Sequence, residues 1–127
     1  MKNASKDEQL GIMSRGGINL TPAEKNNPAL WHGIAGECYL RLTMGITDPE
    51  ILGSVRYHTT GKAGMTLLEK IIYIADYISA ERDYPDVDIM RDLSLNHSLE
   101  EAALYSLKYT FNKMTKLQGI IHPDSVE

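Results

Sequence analysis

Apolar and polar positions along this chain recur with a helical period rather than a two-residue one. In "PALWHGIAGECYLRLTMG", residues 28–45, the side chains Leu30, Ile34, Ala35, Cys38 and Leu42 return at helical spacing and predict one core-facing stripe. Proline opens that segment at a first-turn position and Gly45 closes it. Further on, "TLLEKIIYIADYI" carries Leu67, Leu68, Ile71, Ile72, Ile74, Ala75 and Ile78. Apolar residues there cover most of the circumference, which predicts a central helix rather than a surface one.

The punctuation agrees. Ser5 with Glu8, and Thr66 with Glu69, have the spacing of capping boxes, and "RGG" at 15–17 ends the first helix. Residues 16–28 are mostly polar, with Pro22 after Thr21, and read as a loop with one helical turn. Asp48 followed by Pro49 is an N-cap acid before a first-turn proline, starting a helix through "EILGSVRY" to the His58 loop. A short helix over Val87 to Leu93 and a long one capped by Ser98 and Glu101, reaching Leu117, complete the pattern. "GIIHPDSVE" is a terminal extension. Strand signals are poor, and no repeat or low-complexity tract interrupts the chain. The fold class predicted is all-α, a single domain of five to six helices.

Bulk properties narrow the function. The chain has 127 residues, 43% of them apolar and 24% charged, enough for one core. A net charge of −4 leaves no basic footprint for a nucleic-acid backbone. No apolar run approaches the roughly 20 residues of a membrane helix, and "MKNASKDEQL" has no signal-peptide core. The lone Cys38 cannot form an internal disulfide and reads as a small core residue, so a reducing, cytoplasmic setting is expected.

Asp76 is the sharpest chemical clue. A carboxylate in a dry core costs several kcal/mol unless it is paired, hydrogen-bonded or bound to a cation. Offsets of three, four and seven residues return to one face, so Glu69, Tyr73 and Asp76 share a sector and Asp76 is expected to point into a polar cleft. On spacing alone, an aspartate hydrogen-bonded to a neighbouring loop is an equal reading. His58 leads into "TTGKAG", where glycines permit tight turns and hydroxyls and amides can meet an anion, without the spacing of a P-loop. Taken by itself, His32 in "LWHG" reads more readily as a structural histidine than as a ligand; His97 reads as a surface residue, and His122 carries no motif. Imidazoles with a carboxylate suit iron, manganese or zinc, but these gaps can be closed only by the fold. No Gly-x-Ser-x-Gly elbow or cysteine–histidine signature supports covalent hydrolysis.

"NPALWHGIAG", "ILGSVRYHTTGKAGMTLLEKIIYIADYISAERDYPDVD" and "GIIHPDSVE" together resemble the bacterial HD-superfamily hydrolases of the symmetrical bis(5′-nucleosyl)-tetraphosphatase, YqeK type, over nearly the whole chain. The resemblance implies an HD-domain-like helical bundle with an iron site that splits diadenosine tetraphosphate into two ADP. It implies that Asp76 is a metal ligand, and that His32 and His58 lie at the substrate phosphates, where they can serve a second metal. The same three residues would carry the catalytic role. Thr59 and Arg82 match nucleotide-contacting positions, and Gly119, Ile120, Ile121, His122 and Pro123 match a tail, about 118–127, that closes over the nucleotide. The partner implied is a dinucleoside polyphosphate or its ADP product, with no nucleic acid and no membrane.

The chain departs from the family pattern at its start. The family has an early histidine and an adjacent His-Asp pair; here the first histidine is His32 and none precedes an aspartate. Lys2 matches a lysine that follows that pair. The expectation is therefore an N-terminally truncated domain, 1–127, whose iron site (or manganese or other divalent site) is incomplete and whose turnover is impaired. Its exposed core surface would invite homo-oligomers. The alternative is a noncatalytic nucleotide-binding or helical interaction module.

Overall fold

The structure, a computed structural model, describes residues 1–116, and all regular structure among them is helical. Helices α1 (Lys6–Arg15), α2 (Pro22–Lys25), α3 (Trp31–Leu42), α4 (Pro49–Arg56), α5 (Leu67–Ile78), α6 (Val87–Asn96) and α7 (Leu99–Lys116) follow in order, with a 3-10 turn at Pro28–Leu30. Residues 117–127, including the tail residues Gly119 to Pro123, lie outside the described residues.

Local chemistry sets the boundaries. Glu8 N–H donates to Ser5 Oγ at 3.2 Å, and Ser5 N–H donates to Glu8 Oε2 at 2.7 Å, closing the box that starts α1. Thr66 and Glu69 repeat the arrangement at α5, with both bonds at 3.2 Å. Asp48 caps α4 by accepting from Glu50 N–H at 2.9 Å, and Ser98 Oγ accepts from Glu101 N–H at 3.1 Å at α7. A box between Thr21 and Glu24 closes the single turn of α2, the one helical turn expected in the polar loop. Pro28 opens a 3-10 turn rather than α3 itself, and α6 runs to Asn96, past Leu93.

Among the described residues, two clusters form the core. Ile12, Met13, Trp31, Ile34, Ala35 and Cys38 join α1 to α3. Trp31 Nε1–H donates to the Glu24 carbonyl at 2.7 Å, so the buried indole tethers α2 as well. Cys38 is the buried core residue expected, and burial raises its thiol pKa. Tyr73, Ile74, Ala102 and Ala103 join α5 to α7. Helix α4 lies between the halves, packed on both α3 and α5.

Helix α5 is not enclosed as predicted. Tyr73 and Ile74 are buried, whereas Leu67 is 64% exposed, Ile71 43% and Ile72 38%. Helices α4, α6 and α7 cover one side of it. Among the described residues, nothing covers the apolar arc that runs through Leu67, Ile71, Ile72 and Ala75. An all-round apolar pattern reports that each face can be buried, not which face is.

Candidate functional site

Histidines 32 and 58 meet because α3 and α4 approach closely. His32 stands in the first turn of α3 and His58 lies just beyond the end of α4. Between them is Gly33, where a Cβ would stand 3.0 Å from the Arg56 carbonyl oxygen and 3.2 Å from that of Val55. The glycine therefore permits the crossing. The rings lie edge to face, with centroids 4.8 Å apart.

Hydrogen bonding fixes what this pair can do. His32 Nδ1 is 2.9 Å from the Ala29 carbonyl and His58 Nδ1 is 2.6 Å from the Val55 carbonyl. A carbonyl only accepts, so each ring donates from Nδ1 and turns its Nε2 lone pair toward the other. The two Nε2 atoms are 2.9 Å apart. Two lone pairs at that distance repel; one added proton converts the contact into an N–H···N bond. Burial, then the charge of His58, then Lys2 push the His32 pKa below its ordinary range, outweighing the Ala29 carbonyl and Asp76, which raise it. Burial and the neighbouring ring thus disfavour an added proton on His32.

Asp76 is the main correction to the sequence reading. Its side chain is 47% exposed, not buried, because it sits at the edge of the uncovered arc of α5. It does line a cleft of about 210 Å³, together with Thr59, Tyr77, Arg82 and Tyr84. Arg82 Nη2 donates to Asp76 Oδ1 at 3.1 Å and Nε donates to the Asp76 carbonyl at 2.9 Å. Thr59, directly after His58, ties this cleft to the imidazoles. Glu69 does not share the cleft. It is buried in the α5 cap and paired with Lys62 at 3.1 Å, tight against Gly53. Tyr73, expected in the same sector, is buried, and burial raises its phenol pKa well out of the usual range.

The sequence reading missed several parts of the site. Arg91 donates to the carbonyls of Ile78 at 3.2 Å, Ser79 at 3.0 Å and Arg82 at 3.0 Å, fixing the loop that carries Arg82. Tyr84 donates to the Tyr77 carbonyl at 2.7 Å, packs against Tyr109 at 5.3 Å between centroids, and burial pushes its phenol up to about 12. Tyr77 and Thr110 hydrogen-bond through their hydroxyls. Lys113 brings a further cation to the cleft. An arginine on α6 and tyrosines on α5, on α7 and in the loop after α5 give no local signal of this convergence. His97 is on the surface as expected, beside Asp92 and Glu101.

Among the described residues, no three His, Cys, Asp or Glu side chains stand close enough to hold a metal ion. Two imidazoles and a carboxylate already engaged by Arg82 do not make a closed metal centre.

No family model matches the chain. A symmetrical bis(5′-nucleosyl)-tetraphosphatase of Bacillus subtilis is 42% identical over 100 residues, 79% of this chain and 53% of the relative. One of the same name from Halalkalibacterium halodurans is 39% identical over 97 residues, 76% of this chain and 51% of the relative. The chain thus spans about half the length of the curated relatives it matches. A crystal structure from Clostridium acetobutylicum, described as a predicted HD superfamily hydrolase involved in NAD metabolism, superposes with a TM-score of 0.92 at 34% identity. The superposition covers 99% of this chain and 66% of that one.

Proposed function

This chain belongs to the HD superfamily of hydrolases, and from that premise we propose that it carries the phosphate-facing part of a symmetrical dinucleoside tetraphosphatase. The substrate is diadenosine tetraphosphate and the products are two ADP. The observation that carries the reading is the His32–His58 contact, Nε2 to Nε2 at 2.9 Å, beside a cleft that holds Asp76, Thr59 and Arg82.

In this reading the phosphate chain lies from the imidazole pair into the cleft. Arg82 and Lys113 take phosphate oxygens, Arg82 as a planar fork that Asp76 and the Asp76 carbonyl hold in place. Thr59 offers a hydroxyl at the junction. The His32–His58 pair stands against the phosphates, takes the proton that water sheds as it attacks an inner phosphorus and returns one to the oxygen that leaves. One water is consumed, the central P–O–P bond breaks, and each half departs as ADP. The divalent cation implied by the family, iron in this reading, would need ligands beyond the described residues.

The test compares this chain with a version extended at its N-terminus by a relative's His-Asp segment. Each is incubated with diadenosine tetraphosphate and iron or manganese. The reading expects ADP as the nucleotide product of the extended form and slow or absent turnover by this chain, which still binds ADP. AMP with ATP as products, or no product from the extended form, would overturn it. Among the described residues the ligand set is incomplete, which favours a second reading, a noncatalytic nucleotide-binding module. It requires the extended form to bind ADP without turnover.

A further inference from the structure

Glu69 is buried where a helix cap does not require it. Its Oε1 accepts from the Thr66 N–H, the bond that Glu8 makes with Ser5 at α1. Glu8 stands in solvent, whereas the Glu69 side chain is 2% exposed. Glutamine closes a capping box as well as glutamate does, and an ionised carboxylate is costly to bury unless a cation meets it. The cation is Lys62, whose ammonium stands 3.1 Å from Oε2. No aligned hydrogen bond reaches Oε2 from the described residues, so the two groups meet as charges. The carboxylate also abuts α4, where a Cβ at Gly53 would stand 2.9 Å from Oε2. Lys62 reaches back over the Tyr57 ring, 4.8 Å from its centroid, and the Gly61 N–H donates to the Tyr57 carbonyl at 2.8 Å. Tyr57 and Lys62 thus bracket a short turn that carries His58 and Thr59. Helix α4 is gripped from two sides: Gly33 of α3 lies against its Val55 and Arg56 carbonyls, and Glu69 of α5 meets it at Gly53.

We infer that Glu69 is a positioning residue for His58 and Thr59, acting through Lys62 and Gly53; the inference rests on the proposed function and names what holds its imidazole and hydroxyl in place. Glu69 lies outside the cleft of Asp76, Thr59 and Arg82 and touches no phosphate in that reading. Its charge keeps the ammonium over Tyr57, and the ammonium keeps the turn closed. The closed turn sets where His58 Nε2 and the Thr59 hydroxyl stand. The role needs the charge and not the cap. Glutamine at position 69 retains the bond to Thr66 and nearly the same volume, but offers Lys62 no counter-charge. Lys62 is already partly exposed, so its ammonium then turns to water and releases the turn.

The experiment compares the full chain with Glu69→Gln, Lys62→Met and Lys62→Arg. Urea midpoints report stability, histidine ring resonances of the free proteins report the turn, and calorimetric titration with pyrophosphate reports binding. Titrations run far from the unfolding transition, so lost stability alone leaves the affinity where it was. Glu69→Gln and Lys62→Met should each shift the His58 resonances, leave those of His97 in place and weaken pyrophosphate by about two- to thirtyfold. Lys62→Arg, which keeps a cation within reach of the carboxylate, should behave as the parent. Lys62→Met serves if Glu69→Gln fails to fold. Unmoved His58 resonances or parental affinity in either folded variant overturns the positioning role and leaves the phosphate reading standing. So does an equal loss in Lys62→Arg and Lys62→Met. A lysine that met phosphate by itself would lose affinity in Lys62→Met while Glu69→Gln kept it. If the parent chain does not bind pyrophosphate, the proposed function fails. The His58 resonances of the free variants then decide the positioning role alone: a shift upholds it, and none refutes it.

Discussion

Replacing Gly33 with alanine probes the α3–α4 crossing on which the site depends. A methyl there would meet the Arg56 carbonyl oxygen at 3.0 Å, the Val55 oxygen at 3.2 Å and His58 Cε1 at 3.4 Å. Helix propensity favours alanine by about 1 kcal/mol, while overpacking against a rigid neighbour costs about 1–3 kcal/mol. The nearest atoms are backbone carbonyls at the end of α4, which cannot swing aside as a side chain does, so overpacking wins. A net loss of about 0–2 kcal/mol is expected. The functional effect should exceed the loss of stability. The Val55 carbonyl also accepts the His58 Nδ1 proton at 2.6 Å, so any shift of α4 turns the ring and opens the 2.9 Å contact to His32. Urea denaturation and pyrophosphate titration read the two effects separately. A variant about 1 kcal/mol more stable than the parent, with unchanged pyrophosphate affinity, would refute the close approach.

Acid should destabilise the fold through His32. Its folded pKa lies below the ordinary 6.5, so the unfolded chain binds more protons in that range. Stability is then full above pH 6.5 and falls as pH drops through the folded value. Urea midpoints at pH 7.5 and 5.5 should differ, and His32→Gln should shrink the difference; an unchanged difference would contradict this. Arg91→Ala removes a donor shared by three carbonyls and should cost about 1–3 kcal/mol, with weaker pyrophosphate binding as Arg82 loosens. Arg91→Lys should not restore either, because an ammonium cannot span that fork. The open arc at Leu67, Ile71 and Ile72 should drive concentration-dependent self-association in sedimentation, relieved by Ile71→Lys. A monomer at every concentration would contradict it.

The helices were legible because their signals are local. Ser5 with Glu8, Asp48 with Pro49 and Thr66 with Glu69 act within a single turn, and each does what its spacing implies. Asp76 lines a cleft, as its position on α5 implied, but its exposure was not legible. The isoleucines around it mark α5 as able to be buried on all sides, yet exposure depends on what packs there. The same pattern misassigned Glu69, whose carboxylate serves the cap it was also recognised for. Arg91 and Tyr84 escaped notice because their partners are brought close only by tertiary contact. The His32–His58 pair is 26 residues apart and meets only through the glycine crossing.

The central claim, that the imidazole pair faces a phosphate chain, is tested most directly by the histidine ring resonances during a pyrophosphate titration. His32 and His58 should shift together along one saturable, equimolar isotherm. His97, exposed between Asp92 and Glu101, should stay still as an internal control. Arg82→Ala should weaken that isotherm. Silence at both site histidines, or a response no larger than that of His97, would contradict the account.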